Sequence, residues 1–273
     1  MQVVDICVPH ALHAEIAIAM LRAGKDVLCE KPLAPDVAAA TAMADAATAA
    51  GRLLLPFHNM RLLGPSRAAI RLSREGQIGS PVLIRGVMAH GGPDATDPRR
   101  GWFLEASAGG GAVLDLGPHL FDLVRALHPT PAVRLRALLA QPPTMAVERD
   151  GVVEVVFADG ALAILTLSWS QVAGRETTVV IQGTAGTLRL CLLQTPSPST
   201  GGGAAPLVLG KGRGPAYEPS YPVPEEDDEP CAAMLRTLAG HPAPFGAIDG
   251  VEAIRWVQAA YQSHAVGGGW VSL

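Results

Sequence analysis

The chain has 273 residues, of which 49% are apolar, 17% charged and 4% aromatic, and its formal net charge is −4. Such a length holds one large domain or two modest ones around a sizeable core. The lack of a basic surplus excludes a protein built to neutralise nucleic-acid phosphates, and no apolar run reaches the ~18 residues that cross a bilayer.

The opening region alternates strand and helix. Residues 3–8 form a short β-rich run directly at the start, where no leader-like pattern stands. Residues 13–23 read as a helix with Ile16, Ala17, Met20 and Leu21 on one face, stopped by Gly24. Residues 26–29 are a second strand. Residues 36–50 are a strong helix, with Asp36 at its start, alanine through its interior and Gly51 at its end. Residues 53–57 are a third strand. This order is half of a doubly wound parallel sheet. The pattern then changes. A helix over 65–75, a strand over 82–89 and a helix over 109–127 precede strands at 133–140, 152–157, 162–169, 177–182 and 186–191. The tight turns Asp159-Gly160 and Thr184-Ala185-Gly186 make that sheet largely antiparallel. Residues 194–224, rich in Gly, Pro and Ser, are expected as a long surface segment. The acidic run 225–229 precedes a helix over 231–239 and suits its N-terminus, and a last helix covers 251–265.

Few side chains offer chemistry. Cys7, Cys29, Cys191 and Cys231 have neither zinc nor redox spacing, and the eight histidines form no ligand-spaced cluster, so no metal is expected. Cys7 and Cys29 sit in apolar runs and are expected as buried thiols in a reducing, cytoplasmic setting. Glu30-Lys31-Pro32 follows the second strand, at the carboxyl end where such sheets bind ligands; Lys31 also reads as a plain surface lysine before a turn. Asp115 and His119 share one helical face, one turn apart, as an orienting carboxylate and a proton acceptor or as a cap and a structural histidine. Pro118 between them is expected to kink or restart the helix. Pro9, His10 and His13 lie between the first strand and its helix, as cap residues or facing a polar ligand.

Three ordered motifs go together: Val-Asp-Ile-x-Val-Pro-x-x-x-His at the start, Ala-Gly-Lys-Asp-Val-Leu-Cys-Glu-Lys-Pro through Lys31, and Gly-Gly-Gly-x-x-x-Asp-x-Gly-x-His through His119. With Asn59, Arg61, Phe157-Ala-Asp-Gly160 and Gly183-Thr-Ala-Gly186, the chain resembles the Gfo/Idh/MocA family of NAD(P)-dependent oxidoreductases almost end to end. The resemblance implies catalysis by Lys31, Asp115 and His119 beside the nicotinamide ring of NAD or NADP. His119 would move the substrate hydroxyl proton, Asp115 would orient His119 and favour its charged form, and Lys31 would bind the reacting oxygen. It places Pro9, His10, His13, Glu30, Lys31 and Asn59 near the cofactor, and Trp102 with Lys31, Asp115 and His119 around the substrate. Substrate loops are expected at 90–102 and 168–174.

The family fingerprint G-x-G-x-x-G is absent, so the expectation is a member without its first βαβ segment, impaired in cofactor binding, with a pairing edge bared on the first strand. His10 stands where the family often has asparagine, and Phe103 where it often has the arginine of Trp-Arg. The expected fold is α/β: a partial Rossmann-like parallel sheet over 1–62, then an α/β domain with a largely antiparallel open sheet over 63–273. The expected function is hydride transfer between NAD(P) and a sugar, cyclitol or similar polyol by a cytoplasmic homo-oligomer, without nucleic-acid or membrane partners. The other readings are a nicotinamide-dependent glycoside hydrolase and a non-catalytic ligand-binding or inactive fragment.

Overall fold

A computed structural model describes residues 2–94, 101–172, 174–194, 207–211 and 230–273. The first part is a parallel sheet of β1 (Val3–Ile6), β2 (Asp26–Cys29) and β3 (Leu54–Pro56) in that order. Helix α1 (His13–Arg22) buries His13, Ala17 and Leu21, spaced four apart, against it. Helix α2 (Val37–Ala50) starts where the Asp36 carboxylate accepts the Ala39 N–H at 2.8 Å, and ends on Gly51 at φ 58°. Among the described residues β1 pairs with β2 alone. Cys29 is buried, but Cys7 is exposed: it lies one residue beyond the end of β1, where burial of the strand has ceased.

A one-turn helix α3 (Asn59–Leu62), not foreseen from the sequence, leads into α4 (Gly64–Arg74). The second sheet contains β4 (Pro81–Ala89), β5 (Ala132–Ala140), β6 (Asp150–Phe157), β7 (Leu162–Ser168), β8 (Glu176–Gly183), β9 (Gly186–Gln194), β10 (Leu207–Lys211) and β11 (Val271–Ser272). Its order is β10-β9-β8-β4-β7-β6-β5-β11. Every pairing is antiparallel except β4 with β7. Strand β10 falls inside the segment expected to be irregular, because the antiparallel edge of β9 supplies it with a partner. Apart from Gln194, which ends β9, the rest of that segment and the acidic run lie outside the described residues.

Helix α5 (Ala112–Leu127) is buried nearly all round and packs on β4, β6 and β7. It starts three residues later than the sequence implied, because Gly109 and Gly111 take φ of 74° and 123°. It continues through Pro118 without restarting, held by packing on several sides. Helix α6 (Pro230–Leu238) rests on α3, and helix α7 (Ala247–Ala265) packs against α2 and β3 on one side and α5 and β5 on the other. The C-terminal helix thus belongs to the packing of both sheets, and one core runs from Ile6 to Ala260. On the uncovered face of the large sheet, Leu138, Val152, Leu162 and Ile164 are exposed neighbours.

Candidate active site

Lys31 stands just past the carboxyl end of β2 and is joined to Pro32 by a cis peptide bond. Its ammonium donates to Asp115 Oδ1 at 2.7 Å and to the Asp115 carbonyl at 3.0 Å. Asp115 comes from the first turn of α5, so this ion pair joins the two sheets. The second carboxylate oxygen accepts the indole N–H of Trp169 at 3.2 Å and faces His90 Nε2 at 3.6 Å. Burial raises the Asp115 carboxyl, but the Lys31 charge and hydrogen bonds from His90 and Lys31 outweigh it and hold the group well below the ordinary carboxylate range.

One turn along α5, the buried His119 has a ring Nδ1 without a hydrogen-bond partner among the described residues. Burial, reinforced by Lys31, holds His119 well below the ordinary imidazole value. Asp115 pulls the other way and is outweighed, because its carboxylate is spent on Lys31, Trp169 and His90. Asp115 thus favours the charged form, as the resemblance implied, but burial and Lys31 prevail, so the ring is neutral near pH 7 and offers a lone pair.

Lys31, Asn59, Asp115 and His119 line one cavity of about 230 Å³ with Met60, Met88, Ala89, His90, Leu116, Arg175 and Thr177. A cavity of about 520 Å³, lined by His90, Gly92, Pro93, Trp102, Phe103, Asp115 and Arg175, continues from it. Trp102 stacks on Phe103 with centroids 3.8 Å apart, giving that space an aromatic wall. His90 and Trp169 lie in the expected substrate loops 90–102 and 168–174, whereas Arg175 and Thr177 were not singled out from the sequence. The four converge because β4 runs parallel to β7 and antiparallel to β8, which sets Ala89 beside both Ser168 and Glu176.

The other expected cofactor residues are dispersed. His13 is buried with Nδ1 at 3.0 Å from the Pro32 carbonyl and Nε2 at 2.9 Å from the Val8 carbonyl. It stands between the turn after β1 and the turn after β2, with a backbone carbonyl facing each ring nitrogen. Glu30 accepts the Lys31 backbone N–H at 3.1 Å. Pro9 is exposed. His10 is buried edge-on against Trp102, centroids 5.0 Å apart, and burial pushes it down to about 4. Asn59 does reach the cavity, with a buried Oδ1 that has no partner.

Two supports hold these groups. Glu148 Oε1 accepts the Val113 N–H and the Tyr261 hydroxyl, both at 2.9 Å, so a carboxylate from the loop before β6 caps α5. A Cβ on Gly111 would collide with that carboxylate. Beneath His119, the buried Asp122 meets Arg61 Nε at 3.1 Å, and Arg61 also reaches Asp249 at 3.2 Å. Burial pushes Asp122 up to about 7 against the pull of Arg61. This network joins α3, α5 and α7. Among the described residues no cluster of His, Cys, Asp or Glu could hold a metal.

The polar lining fits a nicotinamide ring, whose amide N–H groups can donate to buried acceptors. The orphaned Asn59 Oδ1 and His119 Nδ1 border the cavity, and a planar ligand carrying an amide would relieve a buried polar atom of its missing hydrogen bond.

Comparison with known proteins gives the same reading. The description "Oxidoreductase family, NAD-binding Rossmann fold" matches residues 1–58, and "GFO/IDH/MocA C-terminal domain" matches residues 66–189. A levoglucosan dehydrogenase of Pseudarthrobacter phenanthrenivorans is 37% identical over 126 residues, 46% of this chain and 32% of that protein. A 1,5-anhydro-D-fructose reductase of Ensifer adhaerens is 40% identical over 123 residues, 45% of this chain and 36% of that protein. These matches span about a third of each relative's length. The solved complex of a levoglucosan dehydrogenase with NADH and levoglucosan is 26% identical, with a TM-score of 0.79 over 100% of this chain and 80% of that one. The chain belongs to the GFO/IDH/MocA family of oxidoreductases.

Proposed function

We propose that the chain serves an oxidoreductase that moves a hydride between a nicotinamide dinucleotide and a hydroxyl or carbonyl carbon of a sugar, cyclitol or similar polyol. The observation that carries this reading is the meeting of Lys31 from one sheet with Asp115 and His119 from a helix on the other, at a single cavity. The relatives named after levoglucosan and anhydrofructose support the carbohydrate class.

When bound, the nicotinamide supplies the two-electron chemistry. The rest falls to the protein. Neutral His119 accepts the hydroxyl proton in oxidation and returns it in reduction. Lys31 donates a hydrogen bond to the same oxygen and stabilises the negative charge that develops there. Asp115 holds the ammonium in place and stays ionised. Asn59 faces the cofactor side. The stacked Trp102 and Phe103 offer an aromatic surface to the C–H face of a ring substrate. We divide the chain at residue 62 into a cofactor half and a substrate half. The exposed apolar neighbours Leu138, Val152, Leu162 and Ile164 support self-association as a homo-oligomer.

The test is calorimetric titration with NAD⁺, NADP⁺ and their reduced forms, followed by a panel of sugars and cyclitols assayed for nicotinamide reduction. Saturable binding and net reduction with at least one polyol are expected. Release of an aglycone without net reduction would replace this reading with the hydrolase one. A bound cofactor that no polyol reduces would refute the dehydrogenase.

A further inference from the structure

We infer that Trp169 is a positioning residue that acts on Lys31 through Asp115; the inference rests on the role proposed above for Lys31. A carboxylate pivoting about its last bond can offer either oxygen, or both, to an ammonium. Here it has no such freedom. Oδ1 is given to Lys31 at 2.7 Å, while Oδ2 accepts the Trp169 indole N–H at 3.2 Å. Indole is a donor only, so at this contact it can bind a carboxylate and cannot accept a proton from one.

The indole is itself fixed. Trp169 is 4% exposed, and its backbone N–H binds the Arg149 carbonyl at 2.9 Å. Gly92, at φ 77°, passes so close that a Cβ there would lie 3.2 Å from the tryptophan Cβ. The Gly92 N–H also donates to His90 Nδ1 at 2.9 Å. In the neutral ring the imidazole proton is therefore on Nε2, the atom facing Asp115 Oδ2 at 3.6 Å. Two strand ends thus hold Oδ2 and leave Oδ1 to aim the ammonium. Without the indole N–H, Oδ2 keeps only the longer His90 contact, the carboxylate can swing, and Lys31 is left with the Asp115 carbonyl at 3.0 Å as its one fixed partner there.

The chain has three lysines, Lys25, Lys31 and Lys211, so amine labelling followed by peptide mass spectrometry reads Lys31 against two internal references. The test needs neither cofactor nor substrate. Trp169→Phe keeps the ring and removes the N–H. Labelling of Lys31 by acetic anhydride should rise about threefold to tenfold relative to Lys25 and Lys211, the equivalent of one lost hydrogen bond. In an Asp115→Asn background, the same substitution should change it by less than about twofold, because the two act as one unit. Where turnover is measurable, kcat should fall with an unchanged KM for the dinucleotide. An unchanged labelling ratio in Trp169→Phe, or an equal rise in both backgrounds, would overturn the inference and leave the dehydrogenase reading standing. If Trp169→Phe does not fold, Gly92→Ala, which crowds the indole, replaces it with the same expected rise in Lys31 labelling and the same overturning result.

Discussion

The three-stranded sheet reaches the cleft through two short segments, Lys31 after β2 and Asn59 after β3, whereas the eight-stranded sheet reaches it through three strand ends and a buried helix. In the first case position follows from local order: a parallel strand ends, a turn follows, and the next side chain stands at the sheet's carboxyl edge. In the second, His90 lies far along the chain from Trp169 and Thr177 and meets them because β4 pairs in parallel with β7 and antiparallel with β8. The small sheet supplies a charge, and the large one supplies the apparatus that aims it.

This contrast can be broken by substitution. The largest effect is expected at His119, the proposed proton carrier on the large-sheet side. His119→Ala should lower turnover by at least ~100-fold, the low end for a lost acid–base group, in a steady-state assay with the best polyol. The next concerns the cap that holds α5. Glu148→Ala leaves the Val113 N–H and the Tyr261 hydroxyl without their acceptor and should cost about 2 kcal/mol in a denaturant titration. Loss of stability without loss of specific activity in the folded fraction would show that the cap does not set the position of Asp115 and His119.

The smallest expected effect is a flat response to pH. The burial and charges around His119 lower its proton affinity: Lys31, His58 and His90 push it down, and Asp115 only partly restores it. A lowered value keeps the proton-accepting form populated as pH falls through 6.5. The acid limb of the oxidation rate should therefore lie well below pH 6.5, and a limb centred at or above that value would show that Asp115 dominates His119 after all.

Much of this molecule was legible in the sequence, for identifiable reasons. The Asp36 cap, the Gly51 stop and the spacing of Ala17 and Leu21 each act within a few residues, so α1 and α2 fall where the sequence puts them. Lys31, Asp115 and His119 were visible as motif residues. What they do to one another was not. The i, i+4 spacing pointed to an Asp115–His119 pair, yet the carboxylate binds a lysine 84 residues away in sequence. His13 read either as a cap residue or as facing a ligand, and the structure sets a turn carbonyl against each of its ring nitrogens. Glu148 gave no signal at all, since its partners come from α5 and α7. Strands β10 and β11 depend on edges that only the folded sheet provides.

The central claim is that the two sheets meet at one reacting oxygen, held by Lys31. Its most direct test is the turnover of Lys31→Ala beside the unsubstituted protein, with the polyol oxidised fastest and with folding checked by thermal melting. The account predicts a loss of at least ~100-fold with the melting temperature little changed. Near-normal turnover in that variant would contradict it.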